Sequence, residues 1–235
     1  MSRRSVYGVP AIDLSGIRAV VFDTDGVVTD TARVHAAAWK SALDPFLRGR
    51  SAPFDVREDY LCHVDGRTRL DGARTFLASR GLDLSEEEVA ALGEAKDRVF
   101  LAQIERYGVA AFPAAVRLLH ELRHRGSRTA AVSASTHCHR VVTAAGLMHL
   151  FDVVVAGRHD QPGPASFEEG ARLLDVPPAE TAVVGDTLPG IEAAGQGGFG
   201  LIVAVDRAGL AFKELGAHVV ISDLAELDVT GRVRL

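Results

Sequence analysis

Short apolar runs alternate with amphipathic stretches through the second half of the chain. Runs of this kind, rich in β-branched residues, are typical of strands that helices cover on both faces. They occur first at residues 19–22 and again at 129–132, 153–155, 181–184, 201–205 and 219–221. Helical patterns separate the later runs, at 113–125, 136–148, 166–174 and 190–198. This alternation predicts an α/β fold with a Rossmann-like, doubly wound parallel sheet.

An amphipathic stretch at residues 31–44 follows the first apolar run and predicts a helix. Asp30 or Thr31 is placed to cap this helix. Pro45 is predicted to end it, because proline cannot donate the next helical hydrogen bond. A further helix start is marked by Ser-Glu-Glu-Glu at 85–88, which has the pattern of a capping box.

Helical patterns alone occupy the sequence between residues 32 and 107. The first strand belongs with the later series of strands and helices, so this helical segment is predicted to be an insertion. We expect a core domain of residues 18–31 and 108–235 and an all-helical cap domain of residues 32–107. Because the insertion follows the first strand directly, the cap is expected to lie over the carboxyl end of that strand.

Two carboxylates, Asp23 and Asp25, follow the first strand and precede Gly26. Side chains two apart in an extended chain point the same way, and ligands of open parallel sheets bind beyond the carboxyl ends of strands. One acid of such a pair can attack or bind a metal while the other transfers protons. Asp and Gly are also ordinary turn residues, so a turn or a helix cap explains the motif equally well. A calcium-binding EF-hand loop is disfavoured because the glycine comes too early.

Two later strands end in further polar residues, Ser133 and Asp186. A hydroxyl at a strand-to-helix turn can bind phosphate together with the helix amides. Asp186 and Asp23 together would supply the two carboxylates that Mg²⁺ prefers. Either Ser133 or Asp186 could instead cap the helix that follows it. Their convergence with Asp23 and Asp25 at one sheet edge favours a shared site.

The composition bounds the class of protein. Of the 235 residues, 47% are hydrophobic, which is enough for one sizeable core. The formal net charge of -5 and the absence of a basic block argue against a nucleic-acid partner. No apolar run is long enough for a membrane span or a signal peptide, so we expect a cytoplasmic protein. The distant Cys62 and Cys138 favour two reduced thiols.

Taken together, these motifs resemble the haloacid dehalogenase superfamily, and within it the β-phosphoglucomutase-like group. The resemblance covers nearly the whole chain. Its first motif is Phe-Asp-Thr-Asp-Gly-Val at 22–27, its second is Val-Ser-Ala-Ser at 132–135, and its fourth is Val-Gly-Asp at 184–186. Residues 29–40 are also similar to the segment that enters the cap in β-phosphoglucomutases.

The resemblance implies roles for the residues at the sheet edge. Asp23 would become an aspartyl-phosphate, and Asp25 would act as general acid and base. Mg²⁺ would be held by Asp23, the backbone carbonyl of Asp25, and Asp186. The residues implied to bind phosphate through the second and third motifs are Ser133, Ala134 and Gln161.

The same resemblance places residues of the cap and its hinge near the substrate: Thr31, His35, Trp39, Arg67 and Lys96. The histidine is implied to set the proton state of the acid/base. The basic residues are implied to hold the remote phosphate of the sugar, since Arg grips phosphate bidentately and Lys acts as a point charge. Without the resemblance, His35 would be an interfacial histidine, and Arg67 and Lys96 would be solvated surface charges.

The third motif departs from the family pattern of Lys-Pro-x-Pro-Asp. Residues 161–165 read Gln-Pro-Gly-Pro-Ala, so both charged positions are neutral. Gln161 can donate a hydrogen bond but cannot neutralise charge, and losing one well-placed donor costs about 10²- to 10³-fold in rate. Arg158 or His159 could supply the missing cation. In the fourth motif, Gly185 replaces an acid that β-phosphoglucomutases carry.

We therefore expect a Mg²⁺-dependent phosphatase or phosphomutase that acts on a small phosphorylated sugar through an aspartyl-phosphate. A monomer or weak dimer, without nucleic-acid or membrane partners, is expected. The alternative is a catalytically weak or inactive relative that binds a phosphorylated ligand or a protein partner. Gln161 and Ala165 are the residues that favour this alternative.

Overall fold

The centre of the molecule is a parallel sheet, seen in a computed structural model that describes residues 11–157 and 167–230. Its strands are β2 (Ala19–Asp23), β3 (Arg128–Ser133), β4 (Val153–Ala156), β5 (Thr181–Gly185), β6 (Leu201–Val205) and β7 (Val219–Ile221). Their order across the sheet is β4-β3-β2-β5-β6-β7, and all neighbours pair in parallel. This confirms the predicted α/β fold with a Rossmann-like sheet and places β2 at the centre of the strand order.

The α-helices of the described residues fall into two groups. The first three are α1 (Ala32–Leu47), α2 (Arg69–Ser79) and α3 (Glu86–Tyr107). The other four, which cover both faces of the sheet, are α4 (Pro113–His124), α5 (Cys138–Ala144), α6 (Phe167–Leu173) and α7 (Leu188–Gln196). Val20 and Phe22 of β2 pack into one hydrophobic cluster with α4, whereas Val21 packs into another with α6 and α7. Both faces of β2 are therefore buried, which is why its sequence is continuously apolar. No described helix is both long and apolar enough to cross a membrane.

A second, two-stranded parallel sheet was not predicted. It pairs β1 (Ala11–Asp13) with β8 (Asp228–Thr230) and so joins the two ends of the described chain. β1 and β8 have only three residues each and both contain an aspartate, so neither appears in the sequence as an apolar run.

Residues 32–107, which we call the cap segment, contain α1, α2, α3 and a single π-helical turn at Tyr60–Val64. Their apolar side chains form a separate cluster that includes Trp39, Leu43 and Phe76. The capping box at the start of α3 is present as predicted.

The prediction that Pro45 ends the first helix was wrong, because α1 continues to Leu47. In the last helical turn a proline removes only one hydrogen bond, which contributes about 1 kcal/mol. Leu47 is only 1% exposed, and burying a leucine stabilises by about 1.5–3 kcal/mol. The packing of Leu47 therefore outweighs the missing bond.

The chain passes between the sheet and the cap segment twice, near residues 28–30 and near residues 110–112, and these two stretches lie side by side. The amide of Asp30 donates to the carbonyl of Ala110 over 2.9 Å, and the amide of Phe112 donates to the carbonyl of Val28 over 2.9 Å. Because these bonds tie both crossings together next to β2, the cap segment is held over the end of that strand.

Candidate active site

Asp23 is the last residue of β2, and its side chain is almost completely buried at 4% exposure. The chain then turns sharply through Gly26, which has a φ of +84°. A Cβ atom at Gly26 would lie 2.1 Å from Oδ2 of Asp186. Only glycine therefore allows this turn to pack against Asp186, which brings the first and fourth motifs together.

Asp25 is surrounded by hydrogen-bond donors. The Ser133 hydroxyl donates to its Oδ2 over 2.6 Å, the Thr31 hydroxyl donates to its Oδ1, and His35 Nε2 lies 3.4 Å from the same oxygen. Burial raises the pKa of Asp25, but His35 and the two hydroxyls outweigh it, so the pKa lies below its usual value. Asp25 is therefore ionised at neutral pH.

His35 is neutral at neutral pH. Burial and the charge of Lys96 lower its pKa, and the nearby Asp25 offsets only part of this effect. Its ring stacks on Phe100 of α3 with 3.9 Å between centroids, which fixes its orientation. A neutral imidazole held in this way can donate a hydrogen bond to Asp25.

The sequence left open whether Thr31, Ser133 and Asp186 cap helices or belong to the site, and the structure gives a different answer for each. Thr31 stands at the N-cap of α1 but makes no capping hydrogen bond, because its hydroxyl is directed to Asp25. Ser133 also accepts a hydrogen bond from the Ser135 amide over 2.9 Å, so it supports its turn as well as Asp25. At α7, Thr187 is the cap and accepts from the Gly190 amide.

Because Thr187 caps α7, the carboxylate of Asp186 is not needed for that purpose. Its Oδ1 is buried and has no hydrogen-bond partner in the part of the chain that the structure describes. Its Oδ2 lies 3.7 Å from Nη1 of Arg207. A buried carboxylate oxygen without a donor is costly, and a cation would satisfy it.

A fourth acidic residue of the site comes from the cap segment and was not predicted from the sequence. Asp65 follows the π-helical turn and lines the same cavity as Asp23 and Asp25. Burial raises the pKa of Asp65 to about 7, and the charge of Asp25 adds to this. Burial and repulsion by neighbouring carboxylates likewise raise the pKa of Asp23 and of Asp186.

The raised pKa values of these acids fit a cation site. Oxygen ligands from one or two carboxylates, completed by water and phosphate, are what Mg²⁺ prefers. Asp23 and Asp186 supply the carboxylates, and the unpartnered Oδ1 of Asp186 supplies a free ligand atom. The chemistry of this set therefore fits Mg²⁺.

The repulsion among these acids predicts how Mg²⁺ changes stability with pH. Folded Asp65 keeps its proton up to about pH 7, whereas the unfolded side chain loses it near 3.8. Without a cation, this acid makes the free energy of unfolding fall as the pH rises between those values, and Asp23 and Asp186 act in the same direction. We expect the stabilisation by Mg²⁺ to grow across this range.

This expectation is measured by thermal unfolding with EDTA and with Mg²⁺ at several pH values. Taking the difference at each pH removes the contribution of neutral His35, which acts in the opposite direction. An increment from Mg²⁺ that stays constant across the range, or shrinks, would contradict the cation site.

A cluster of cations surrounds Asp97 on the cap side of the cavity. Arg69 donates to Asp97 Oδ2, His137 Nε2 lies 3.1 Å from the same oxygen, and Lys96 Nζ lies 3.3 Å from Oδ1. Burial raises the pKa of Asp97, but His137 and Lys96 outweigh it and hold the pKa below its usual value. The Nε of Arg69 is buried without a partner in the described residues. It is therefore a spare donor.

The residues expected near the substrate occupy different parts of this cavity. Lys96 is 4% exposed, with its ammonium 4.8 Å from the ring centroid of Phe100 and 5.9 Å from that of Trp39. Arg67 lines the cavity but is exposed, whereas Arg69 enters the cluster at Asp97. Arg69 is thus better placed than Arg67 for a buried anion.

Ala134 also lines the cavity, next to Ser133. The third-motif residues Gln161 and Ala165, and the candidate replacements Arg158 and His159, lie outside the described residues. Their roles stay predictions.

Comparison with known proteins identifies the family. The family model for haloacid dehalogenase-like hydrolases matches residues 17–198. The chain belongs to this family. A β-phosphoglucomutase of Mycobacterium bovis is 35% identical over 253 residues, covering 96% of this chain and 95% of that protein. The resemblance inferred from the motifs is confirmed.

Solved structures share the fold of this haloacid dehalogenase-like hydrolase. A β-phosphoglucomutase from Clostridium difficile matches with a TM-score of 0.74 at 24% identity, covering 90% of this chain and 93% of that one. CbbY from Rhodobacter sphaeroides, solved with xylulose-1,5-bisphosphate, matches with a TM-score of 0.73 at 24% identity, covering 93% and 100%. The family model and the sequence relatives make this an enzyme of the phosphatase and phosphomutase type.

Proposed function

We propose that this enzyme transfers a phosphoryl group from a small phosphorylated sugar through an aspartyl-phosphate at Asp23. It would act as a Mg²⁺-dependent phosphatase or a β-phosphoglucomutase-like phosphomutase. One observation carries the proposal: buried Asp23 shares a cavity with Asp25, which hydroxyl and imidazole donors hold, and the charge of the neighbouring Asp186 acts on Asp23. Nucleophile and proton carrier thus line one cavity, and a second carboxylate lies near the nucleophile.

The reaction would proceed in two displacements. A carboxylate oxygen of Asp23 attacks phosphorus, the bond from phosphorus to the ester oxygen breaks, and Asp25 gives its proton to the leaving alkoxide. In the second step Asp25 takes a proton from water, which attacks phosphorus and releases Asp23 and phosphate. In a mutase, a second hydroxyl of the sugar replaces the water.

Asp25 must change its proton state between these steps. The ionised form described above is the one that takes a proton from water or a hydroxyl. An incoming phosphate dianion opposes this charge and favours the protonated form that the first step needs. His35, Ser133 and Thr31 hold the carboxylate in one orientation in both states.

The Mg²⁺ ligands would be the carboxylates of Asp23 and Asp186 and the backbone carbonyl of Asp25. When bound, the ion neutralises charge on the transferring phosphoryl oxygens. Asp23 and Asp186 repel each other, and a bound cation would relieve this repulsion, which favours its binding.

The cation cluster on the cap side supports a phosphorylated sugar as substrate. The spare Nε of Arg69, with Lys96 and His137, suits a second anionic group such as the remote phosphate of a sugar bisphosphate. CbbY, a relative in fold, is solved with such a bisphosphate. The cap segment, as a domain of residues 32–107 on the core of 18–31 and 108–235, would close over this ligand.

Replacing Asp25 with asparagine tests the proton transfer. We expect kcat/KM for glucose 6-phosphate to fall by about 10²- to 10⁴-fold, because the leaving alkoxide can no longer be protonated. This parameter covers only the steps up to release of the alcohol, so the later attack of water, in which Asp25 also takes part, does not enter it. An aryl phosphate, whose leaving phenolate needs no proton, is expected to lose much less. Steady-state assays with both substrates measure this difference, with Asp83→Asn on the exposed cap surface as the matched control. Equal losses on the two substrates would rule out general acid catalysis by Asp25.

A further inference from the structure

Asp65 lies where the cap segment touches the core. Its neighbour Gly66 has a φ of +69°, and a Cβ atom there would lie 2.6 Å from the Thr187 hydroxyl oxygen. The Asp65–Gly66 turn therefore packs directly on the residue after Asp186. Of the charged groups around Asp186, Asp65 repels its carboxylate most strongly. Asp65 thus adds an acidic side chain to the lining of the cavity that contains Asp23.

Two other acids of this cavity, Asp25 and Asp97, each interact with three side chains. Asp25 has two hydroxyls and His35, and Asp97 has Arg69, Lys96 and His137. Asp65 interacts only with the Tyr60 hydroxyl and the Gly66 amide, and it forms no ion pair within residues 11–157 and 167–230. A carboxylate has about four acceptor sites, so Asp65 retains capacity for further donors.

Building on the proposed function, we propose that Asp65 selects the substrate by accepting hydrogen bonds from sugar hydroxyls and by repelling substrates that carry a second negative charge close to the phosphate ester. A polyol phosphate such as glucose 6-phosphate offers neutral hydroxyl donors near the ester. Phosphoglycolate carries a carboxylate on the carbon next to the ester oxygen. Asp65 would therefore favour the first and reject the second.

Both parts of this selection, the hydrogen bonds to sugar hydroxyls and the repulsion of a second negative charge, follow from general properties of buried polar groups. A buried site built to hydrogen-bond a substrate hydroxyl discriminates strongly against ligands that leave it unpaired. Two like charges in a partly buried site repel each other more strongly than they do in bulk water.

The test measures binding, so that it does not depend on turnover. Calorimetry with Mg²⁺ present, in an Asp23→Asn background and at about pH 8, gives Kd for glucose 6-phosphate and for phosphoglycolate. This pH lies above the pKa of about 7 of Asp65, so its side chain is ionised. Asp65→Asn removes the charge and keeps an acceptor, while Asp65→Ala removes both. We expect glucose 6-phosphate to bind more weakly and phosphoglycolate more tightly in both variants, so that the ratio of their Kd values shifts by at least about tenfold.

A structural role for Asp65 would weaken both ligands together. The inference is overturned if the ratio of Kd values stays within about twofold of its value in the Asp23→Asn background, whatever the individual values do. The control is Asp83→Asn, which makes the same charge change on the exposed surface of the cap segment and is expected to leave the ratio unchanged.

Failure of this inference and failure of the proposed function are distinguishable. An unchanged ratio together with Asp23-dependent turnover of sugar phosphates overturns the role of Asp65 and keeps the proposed function. A shifted ratio in a protein without Asp23-dependent turnover keeps the role of Asp65 and overturns the proposed function. Binding of neither ligand to the Asp23→Asn protein overturns both.

Discussion

Replacing Asp23 with asparagine is expected to reduce turnover of sugar phosphates by about 10⁴-fold or more. The amide cannot form the covalent phosphoryl intermediate, and loss of a nucleophile removes most of the rate enhancement in enzymes of this kind. The midpoint of thermal unfolding in EDTA is expected to rise, because burial and neighbouring carboxylates raise the pKa of Asp23 and a neutral side chain is preferred there.

The two readouts together separate chemistry from folding. Initial rates with saturating Mg²⁺ and calorimetric unfolding are compared with those of Asp83→Asn, which lies away from the cavity on the exposed cap surface. A variant that loses activity and stability together would indicate a structural role for Asp23. A variant that retains more than about a hundredth of the wild-type rate would exclude Asp23 as the nucleophile.

Replacing Gly66 with alanine is expected to lower kcat/KM for a sugar phosphate by about 10²-fold. The new Cβ atom would lie 2.6 Å from Oγ1 and 2.7 Å from Cβ of Thr187, so the turn has to move away from the core. A displacement of about 1 Å in a positioning element costs about this factor in rate. Asp65 and the cap cations would then stand too far from the substrate.

Gly81→Ala is the matched control for this substitution. Gly81 lies in the same cap segment with a φ of +65°, close to the +69° of Gly66, but a Cβ atom there has no neighbour within 4 Å. Both variants carry a backbone strain of about 1–2 kcal/mol, and a similar loss of thermal stability is expected. Steady-state kinetics that show equal activity in the two variants would contradict a closed cap as the active arrangement.

The sheet could be predicted because its strands are buried on both faces. β2, β3 and β5 each contain an apolar run, at residues 19–22, 130–132 and 182–184. The polar residues predicted from the sequence, Asp23, Ser133 and Asp186, lie at or directly after the ends of these strands. Parallel pairing then brings these ends to one edge. Helix bounds were less well predicted where packing outweighed a local sequence signal. Burial of Leu47, for example, extends α1 beyond Pro45.

The cap side of the site could not be predicted in the same way. Asp65, Arg69 and Asp97 owe their positions to how a turn and two helices dock on the core, and that docking leaves no periodic pattern in the sequence. Lys96 was marked only through the family resemblance. The sequence also could not show whether Asp186 or Thr187 caps α7, since both side chains are chemically suited to that role.

The central claim is the covalent intermediate on Asp23, and direct detection of it is the most direct test. The enzyme is mixed with Mg²⁺ and a sugar phosphate, quenched within a single turnover and treated with borohydride, which reduces an acyl phosphate to an alcohol. Mass spectrometry of the peptides that contain residues 19–26, 65 and 186 should then find homoserine at Asp23 and at none of Asp25, Asp65 and Asp186. Turnover of the sugar phosphate with Asp23 unmodified, or with the label at Asp25, Asp65 or Asp186, would contradict the account.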